Sequence, residues 1–128
     1  PTIVLKDKKP SLIVGTPGGS TIITSVFQTI LNVYEYDMSM QEAVNAPRVH
    51  HQWLPDVVII EEGGIDSVKD SILKSKNYFV ISLPIKSDSS GMSARSSIGK
   101  VDAIFIDENG EVSTGADPRG DDHASILK

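Results

Sequence analysis

The sequence contains no cysteine, which excludes disulfide bonds and thiolate metal ligands but leaves the cellular compartment open. It also lacks any apolar run near the ~20 residues that a membrane-spanning helix requires. Basic residues are outnumbered by acidic ones, and the net charge of −5 argues against nucleic-acid binding, which needs clustered lysine and arginine. The rest is an ordinary globular composition, with 39% apolar residues among 128, so we expect one domain or a piece of one.

The first third of the chain predicts a hairpin followed by a helix. Residues 3–5 and 12–14 are β-rich runs on either side of a polar, lysine-rich turn. A glycine and proline cluster at 15–19 then breaks the pattern. After it, apolar residues recur at three- and four-residue spacing over 22–34, which predicts a helix with one wide apolar face in the core. The chain begins inside a strand-like pattern with no signal peptide, so we expect a cut within a longer polypeptide.

Two further helices are marked by their capping residues. Ser39 and Glu42 form the capping-box pattern S-x-x-E, and Pro47 should end the short helix that follows. Asp66 can cap a third helix. The apolar residues that we expect this helix to turn inward are Val68, Ile72 and Leu73.

The remaining elements are strands and one loop. Strand patterns cover residues 57–61, 78–83, 101–106 and 111–114. Asn109 and Gly110 predict a hairpin between the last two. The serine-rich stretch at about 86–97 predicts an exposed loop. The chain is therefore expected to be α+β, with mostly antiparallel hairpins and helices on one side, and to form a single piece over residues 1–128.

The segment with the clearest chemical potential is the turn that contains Gly18 and Gly19. A strand enters this turn and a helix leaves it, so the first helical N–H groups have no intrahelical partner and lie at the positive end of the helix dipole. Adjacent glycines allow positive φ and close approach of a ligand to the backbone, while Pro17 stiffens the turn. Such a turn can hold an anion or a developing oxyanion.

The residue types alone leave other interpretations open. The turn lacks the lysine of a phosphate-binding G-x-x-x-x-G-K-[ST] loop and does not fit G-x-G-x-x-G. A glycine turn that only joins a strand to a helix accounts for the same residues. A non-enzymatic anion-binding module would also use this turn.

Other candidate sites have structural explanations. His50 and His51 are adjacent, so in a strand they point to opposite faces, and a structural role beside Trp53 is favoured over metal binding. Aspartates near the C-terminal end could bind calcium, but they lack the spacing of a known loop. These aspartates are Asp117, Asp121 and Asp122, and an Asp-Pro-Arg turn at 117–119 with internal salt bridges is favoured over calcium binding. Arg119 begins a cell-adhesion tripeptide, R-G-D, which is short enough to occur by chance.

Three longer motifs, in order, resemble those of the γ-glutamyltransferase family. Residues 15–24, GTPGGSTIIT, resemble the family pattern G-[ST]-P-G-G-S-x-I-I-T. Residues 41–56, QEAVNAPRVHHQWLPD, look like its E-A-V-x-A-P-R-x-H-x-Q-W-L-P-D. Residues 115–119, GADPR, are similar to its closing G-A-x-D-P-R. Their order and approximate spacing agree over nearly the whole chain, which favours a functional interpretation of the double glycine.

The resemblance implies a fold, a reaction and a role for the two glycines. The fold would be the four-layer αββα sandwich of N-terminal-nucleophile hydrolases, with this chain as the C-terminal part of the small subunit. The reaction would cleave the γ-glutamyl amide of glutathione and pass the acyl group to water, an amino acid or a peptide. Gly18 and Gly19 would donate backbone N–H groups to the oxyanion. No cofactor is implied, and the family's compartment would be periplasmic or extracellular.

The resemblance also implies that essential parts lie elsewhere. The family's nucleophile is a free N-terminal threonine well upstream of the double glycine, and Thr2, behind Pro1, does not replace it. A Ser-Ser pair that binds the substrate α-carboxylate would lie just before Pro1. The expected partners are the rest of the small subunit, the large subunit and γ-glutamyl compounds. A related acylase, acting on cephalosporins or poly-γ-glutamate, remains the alternative enzyme.

Overall fold

The computed structural model describes residues 1–84 and 98–126, so the predicted loop at 86–97 lies outside the described residues. Three helices lie among the described residues: α1 Ile22–Tyr34, α2 Met40–Asn45 and α3 Ser67–Ser75. The strands are β1 Thr2–Lys6, β2 Lys9–Gly15, β3 Val49–Gln52, β4 Val57–Glu61, β5 Val80–Leu83, β6 Asp102–Ile106 and β7 Val112–Gly115. In this part of the chain, no helix is long and apolar enough to cross a membrane.

The strands form two sheets of different character. The first has the order β1-β2-β6-β7 and is antiparallel throughout, with both predicted hairpins in place. The second has the order β3-β4-β5, and its β4–β5 pair is parallel because α3 provides the crossover between them. The predicted mixture of α and β elements with mostly antiparallel pairing is therefore confirmed.

The core lies between the first sheet and helices α1 and α2. Its buried members come from β2, β6 and α2 and from the C-terminal end of α1, and Val101 precedes β6 within it. The capping box of α2 is confirmed, since the Ser39 side chain accepts from the Glu42 amide and the Glu42 carboxylate accepts from the Ser39 amide. Asp66 caps α3 by accepting from the Lys69 amide at 2.8 Å, as predicted.

Two predictions about inward faces are confirmed only in part, although Val26, Ile30 and Tyr34 of α1 do pack against the core. In α1, the buried positions include the small polar residues Ser25 and Thr29, whereas Ile23 is 78% exposed and Phe27 is exposed too. The small hydroxyls fit where the helix meets other backbone segments, and both are satisfied by carbonyl oxygens, those of Ile98 and Ser25 respectively. In α3, Val68 and Ile72 are exposed and only Leu73 is half-buried.

The side of the first sheet away from the helices also carries exposed apolar residues. Its exposed members include Ile3, Leu5, Ile104 and Val112. Side chains alternate between the two faces of a strand, so these residues form a face opposite to the one that packs on α1 and α2. An apolar sheet face of this kind is typical of a surface that another layer covers.

We expect the chain on its own to bind an apolar dye and to self-associate, because this sheet face and the exposed residues of α1 stay uncovered. Sedimentation and dye fluorescence measure both properties. The double variant Ile3→Thr with Ile104→Thr should reduce both signals, while Lys8→Glu in the exposed turn should not. A compact monomer that binds no dye would contradict the expectation.

Candidate oxyanion site

The double glycine lies where a strand ends and a helix begins. After Gly15 the chain enters a single 3-10 turn, Gly19–Thr21, and α1 starts directly behind it. Gly18 has φ 146° and Gly19 has φ 59°, so both lie in the region that L side chains rarely adopt. The two adjacent glycines in the sequence predict a turn with positive φ, and the backbone conformation confirms it.

The amides of both glycines point to no acceptor among the residues that the structure describes. Both residues are exposed. The turn is closed from the other side, because the Thr21 amide donates to the Gly18 carbonyl oxygen at 3.2 Å and the Ile22 amide to that of Gly19. Two adjacent, accessible N–H donors at the positive end of a helix form a site for negative charge.

The two glycines differ in the space around them. A Cβ on Gly18 would lie 2.5 Å from Thr21 Oγ1 and 3.3 Å from the Gly99 Cα atom. A Cβ on Gly19 would meet no atom of the described chain within 4 Å. Any side chain at position 18 must therefore displace its neighbours, whereas at position 19 the backbone conformation is the main restriction.

A cleft of about 610 Å³ lies beside this turn. Residues from the turn and from the strand ends line it, among them Pro1, Gly15, Thr16, Pro17, Asp102 and His123. Burial raises the pKa of the Asp102 carboxyl above its ordinary value, and the nearby Asp122 and Asp117 act in the same direction. The cleft borders the first part of the glycine turn, Gly15 to Pro17, next to Gly18 and Gly19.

Behind the site lies a buried cluster of four charged residues. We call it the ion network; its members are Arg48, Glu61, Asp117 and Arg119, and each is at most 6% exposed. Arg119 binds Glu61 through two hydrogen bonds, Nε to Oε1 at 2.8 Å and Nη2 to Oε2 at 2.6 Å. Asp117 joins both arginines, at 2.8 Å to Arg48 Nη2 and 3.0 Å to Arg119 Nη1. The network is neutral as a whole, which offsets the cost of burying charge.

Partners in the network favour the charged forms of Asp117 and Arg119. Burial acts to raise the pKa of Asp117, but Arg48, the amides of Val101 and Arg119 and the Arg119 charge outweigh it and hold this pKa below its usual value. Burial likewise opposes ionisation of Arg119, but the Glu61 and Asp117 carboxylates raise its pKa. Burial lowers the pKa of Arg48 from its very high ordinary value.

The network also anchors the backbone that packs against the glycine turn. The Ile98 carbonyl oxygen accepts from Arg48 Nη1 at 2.9 Å, and the Ile98 amide donates to Glu61 Oε1 at 3.2 Å. The Val101 amide donates to Asp117 Oδ2 at 2.6 Å. Gly99 lies between these anchors, and its Cα atom bounds the space beside Gly18. The network therefore holds one wall of the glycine turn.

Sequence reasoning identified only part of this network. It predicted salt bridges inside the Asp117 to Arg119 turn, which the structure confirms. It did not assign roles to Arg48 and Glu61. A charged residue at the end of an apolar strand, as Glu61 is, was the available signal, since such a residue is rarely buried without a partner.

The adjacent histidines form hydrogen bonds with other side chains of the described chain. His50 is buried and its ring nitrogens contact Thr24 Oγ1 at 2.9 Å and Gln52 Oε1 at 3.0 Å, whereas His51 faces out and pairs with Asp56. These partners support the predicted structural role, although Trp53 itself is 84% exposed. No cluster suited to a metal occurs in the described ranges. Arg119 is buried, so the R-G-D tripeptide is not presented for adhesion.

Comparison with known proteins gives consistent matches. The family model described as gamma-glutamyltranspeptidase matches residues 1–127. A glutathione hydrolase proenzyme of Escherichia coli is 39% identical over 123 residues, covering 95% of this chain and 19% of that protein. The solved gamma-glutamyltranspeptidase from Pseudomonas nitroreducens, complexed with L-DON, matches with a TM-score of 0.80 and 34% identity, covering 100% of this chain and 61% of that one.

A more distant match is to a solved structure of an acylase. A cephalosporin acylase from Bacillus halodurans superimposes with a TM-score of 0.78 at 18% identity, covering 98% of this chain and 22% of that chain. At this identity the likeness concerns the fold alone. The chain spans about a fifth of the length of the Escherichia coli relative.

Proposed function

The chain belongs to the gamma-glutamyltranspeptidase family, and from that premise we propose that it supplies the oxyanion hole of a glutathione hydrolase and γ-glutamyltransferase. The observation that carries the proposal is the pair of amides at Gly18 and Gly19, both accessible and both in positive-φ backbone at the start of α1. Such donors stabilise the oxyanion of a tetrahedral intermediate, and each contributes about 2.7–4 kcal/mol to lowering the barrier.

In the proposed reaction, the nucleophile comes from upstream of this chain. A proenzyme cleaves itself, and the threonine at the new N-terminus attacks the γ-glutamyl carbonyl carbon. Its own α-amino group, or a water held by that group, takes the hydroxyl proton and delivers it to the leaving amine as the C–N bond breaks. Water or an acceptor amino acid or peptide then attacks the acyl-enzyme and regenerates the threonine.

The substrate would lie in the cleft beside the glycine turn. Thr2 pairs with Val14, so Pro1 lies across from Gly15 at the edge of this cleft. A Ser-Ser pair immediately before Pro1 would therefore be close to the oxyanion donors, where it could bind the α-carboxylate of glutathione or another γ-glutamyl compound. The remaining partners in this proposal are the rest of the small subunit and the large subunit, in a periplasmic or extracellular enzyme.

Two alternative functions predict different experimental results. An acylase with the same fold would share the oxyanion turn but prefer another acyl group; the motif at 53–56, WLPD, favours the transferase. A non-enzymatic anion-binding module would bind phosphate or carboxylate with this chain alone. Comparing the full-length parent on γ-glutamyl and cephalosporin substrates distinguishes the two enzymes.

We expect the isolated chain to have no transferase or hydrolase activity, because it carries no N-terminal threonine nucleophile. The assay is release of aniline from a γ-glutamyl anilide, with the full-length, self-cleaved parent as the positive control. Steady turnover by the isolated chain, or a stable acyl adduct on any of its residues, would count against the proposal. So would an inactive parent that has cleaved itself at a threonine.

A further inference from the structure

The carbonyl ends of both donor peptide groups are held by threonine hydroxyls. The Gly18 amide shares a peptide group with the Pro17 carbonyl, and the Gly19 amide shares one with the Gly18 carbonyl. Both peptide bonds are trans. In a planar trans peptide the C=O and N–H bonds point in opposite directions, so holding the oxygen also sets the direction of the N–H group.

Thr16 holds the first of these peptide groups. Its Oγ1 donates to the Pro17 carbonyl oxygen at 2.6 Å and accepts from the Lys100 amide at 2.7 Å. A hydroxyl has one hydrogen and two lone pairs, so it can make both bonds at once. Thr16 thus ties the Pro17–Gly18 peptide group to the segment next to Gly99, which the ion network anchors.

Thr21 holds the second peptide group. Its Oγ1 and its backbone amide both donate to the Gly18 carbonyl oxygen, at 3.0 Å and 3.2 Å. Two donors on one carbonyl oxygen occupy both of its lone pairs. Glycines flank this peptide group, and without such bonds it could rotate more freely than any other in the turn.

We propose that Thr16 and Thr21 are positioning residues that aim the Gly18 and Gly19 amides at the oxyanion, an inference that rests on the proposed function of those glycines. Both hydroxyls act from the carbonyl side of the donor peptide groups, opposite to the N–H groups. Thr16 also contributes to the lining of the cleft, whereas Thr21 does not. Donors that are already aligned stabilise charge without reorganising during the reaction. A misplacement of about 1 Å can cost roughly a hundredfold in rate, so the hydroxyls affect catalysis through geometry.

The test uses matched variants of the full-length, self-cleaved parent. Thr16→Val removes the hydroxyl but keeps a β-branched side chain of similar size, and Thr16→Ser keeps the hydroxyl. In turnover of a γ-glutamyl anilide, we expect Thr16→Val to lower kcat by about tenfold or more with KM nearly unchanged. Thr16→Ser should restore most of the parental kcat. A purely structural role would lower the melting temperature and leave the kcat of the folded enzyme at the parental value.

Thr21→Val and Thr21→Ser repeat the test on the second peptide group. If Thr16→Val does not self-cleave, the kcat values of the two Thr21 variants test the positioning role. Thr21 is half-buried in an exposed turn, so its substitution spares the core. Parental kcat in the valine variants beside a slow Gly18→Ala variant would overturn the positioning role and leave the oxyanion assignment intact. Parental kcat in Gly18→Ala as well would overturn both.

Discussion

Gly18→Ala in the self-cleaved parent enzyme should lower kcat by roughly a hundredfold or more, the effect of one lost oxyanion donor. The added Cβ would meet Thr21 Oγ1 at 2.5 Å and Gly99, and the backbone has φ 146°, so the turn must change its conformation. Loss of a contact made only in the transition state lowers kcat and kcat/KM together and leaves ground-state binding nearly intact. Single-turnover acylation measures the affected step directly.

The neighbouring glycine provides a graded comparison. In Gly19→Ala the added Cβ has no neighbouring atom within 4 Å, and the substitution costs only about 1–2 kcal/mol for the positive φ. It should therefore slow acylation less than Gly18→Ala. Gly110→Ala is the control, because Gly110 also has positive φ and open space but lies in the β6–β7 hairpin. It should lower stability without changing acylation. If Gly18→Ala matures, melts normally and acylates at the parental rate, the glycines only form a turn.

Glu61→Gln should destabilise the parent enzyme by about 3–5 kcal/mol, because it leaves buried arginine charge without its counter-ion. The carboxylate accepts hydrogen bonds from the Arg119 side chain and from the Arg48 and Ile98 amides. A glutamine has the same shape but presents an amide donor where an acceptor is needed. Thermal and denaturant unfolding should both show the loss.

Glu108→Gln is the matched control for this substitution. Glu108 also forms an ion pair, with Lys6, but its side chain is 78% exposed. Exposed pairs contribute little because water and salt screen them, so we expect an unchanged unfolding midpoint. Equal midpoints for Glu61→Gln and the parent would show that the buried network adds no stability through its charges.

The elements that were predicted correctly depend on contacts between residues close in sequence. The capping box at Ser39 and Glu42 lies within four consecutive residues, and the hairpin at Asn109-Gly110 depends on the conformations that Gly110 allows. The glycine turn is local in the same sense, since its backbone conformations follow from residues 15–21. For this reason, the position of the glycine turn and its positive-φ backbone could be predicted from the sequence.

Which side of each helix is buried could not be predicted from residues close in sequence. The apolar pattern of α1 predicts a core position for Ile23 and Phe27, yet both are exposed in the described chain, where Ser25 and Thr29 are buried. Val26 and Ile30, from the same pattern, do pack against the core. Helical periodicity shows that a helix has an apolar side but not which neighbour covers it. An apolar side that faces beyond the described residues therefore looks the same in the sequence as one that faces the core.

The sequence by itself determined the strand–glycine–helix turn, the caps and the hairpins, because each arises from conformational preferences and hydrogen bonds within a few residues. The tertiary structure alone decided that Arg48, Glu61 and Asp117 meet in one buried network, since these residues are separated by 13 to 69 positions in the chain. It also decided that Gly99 and Lys100 reach the turn at Thr16 and Gly18. Long-range pairings of this kind depend on how the sheets and helices pack, and no local pattern encodes that packing.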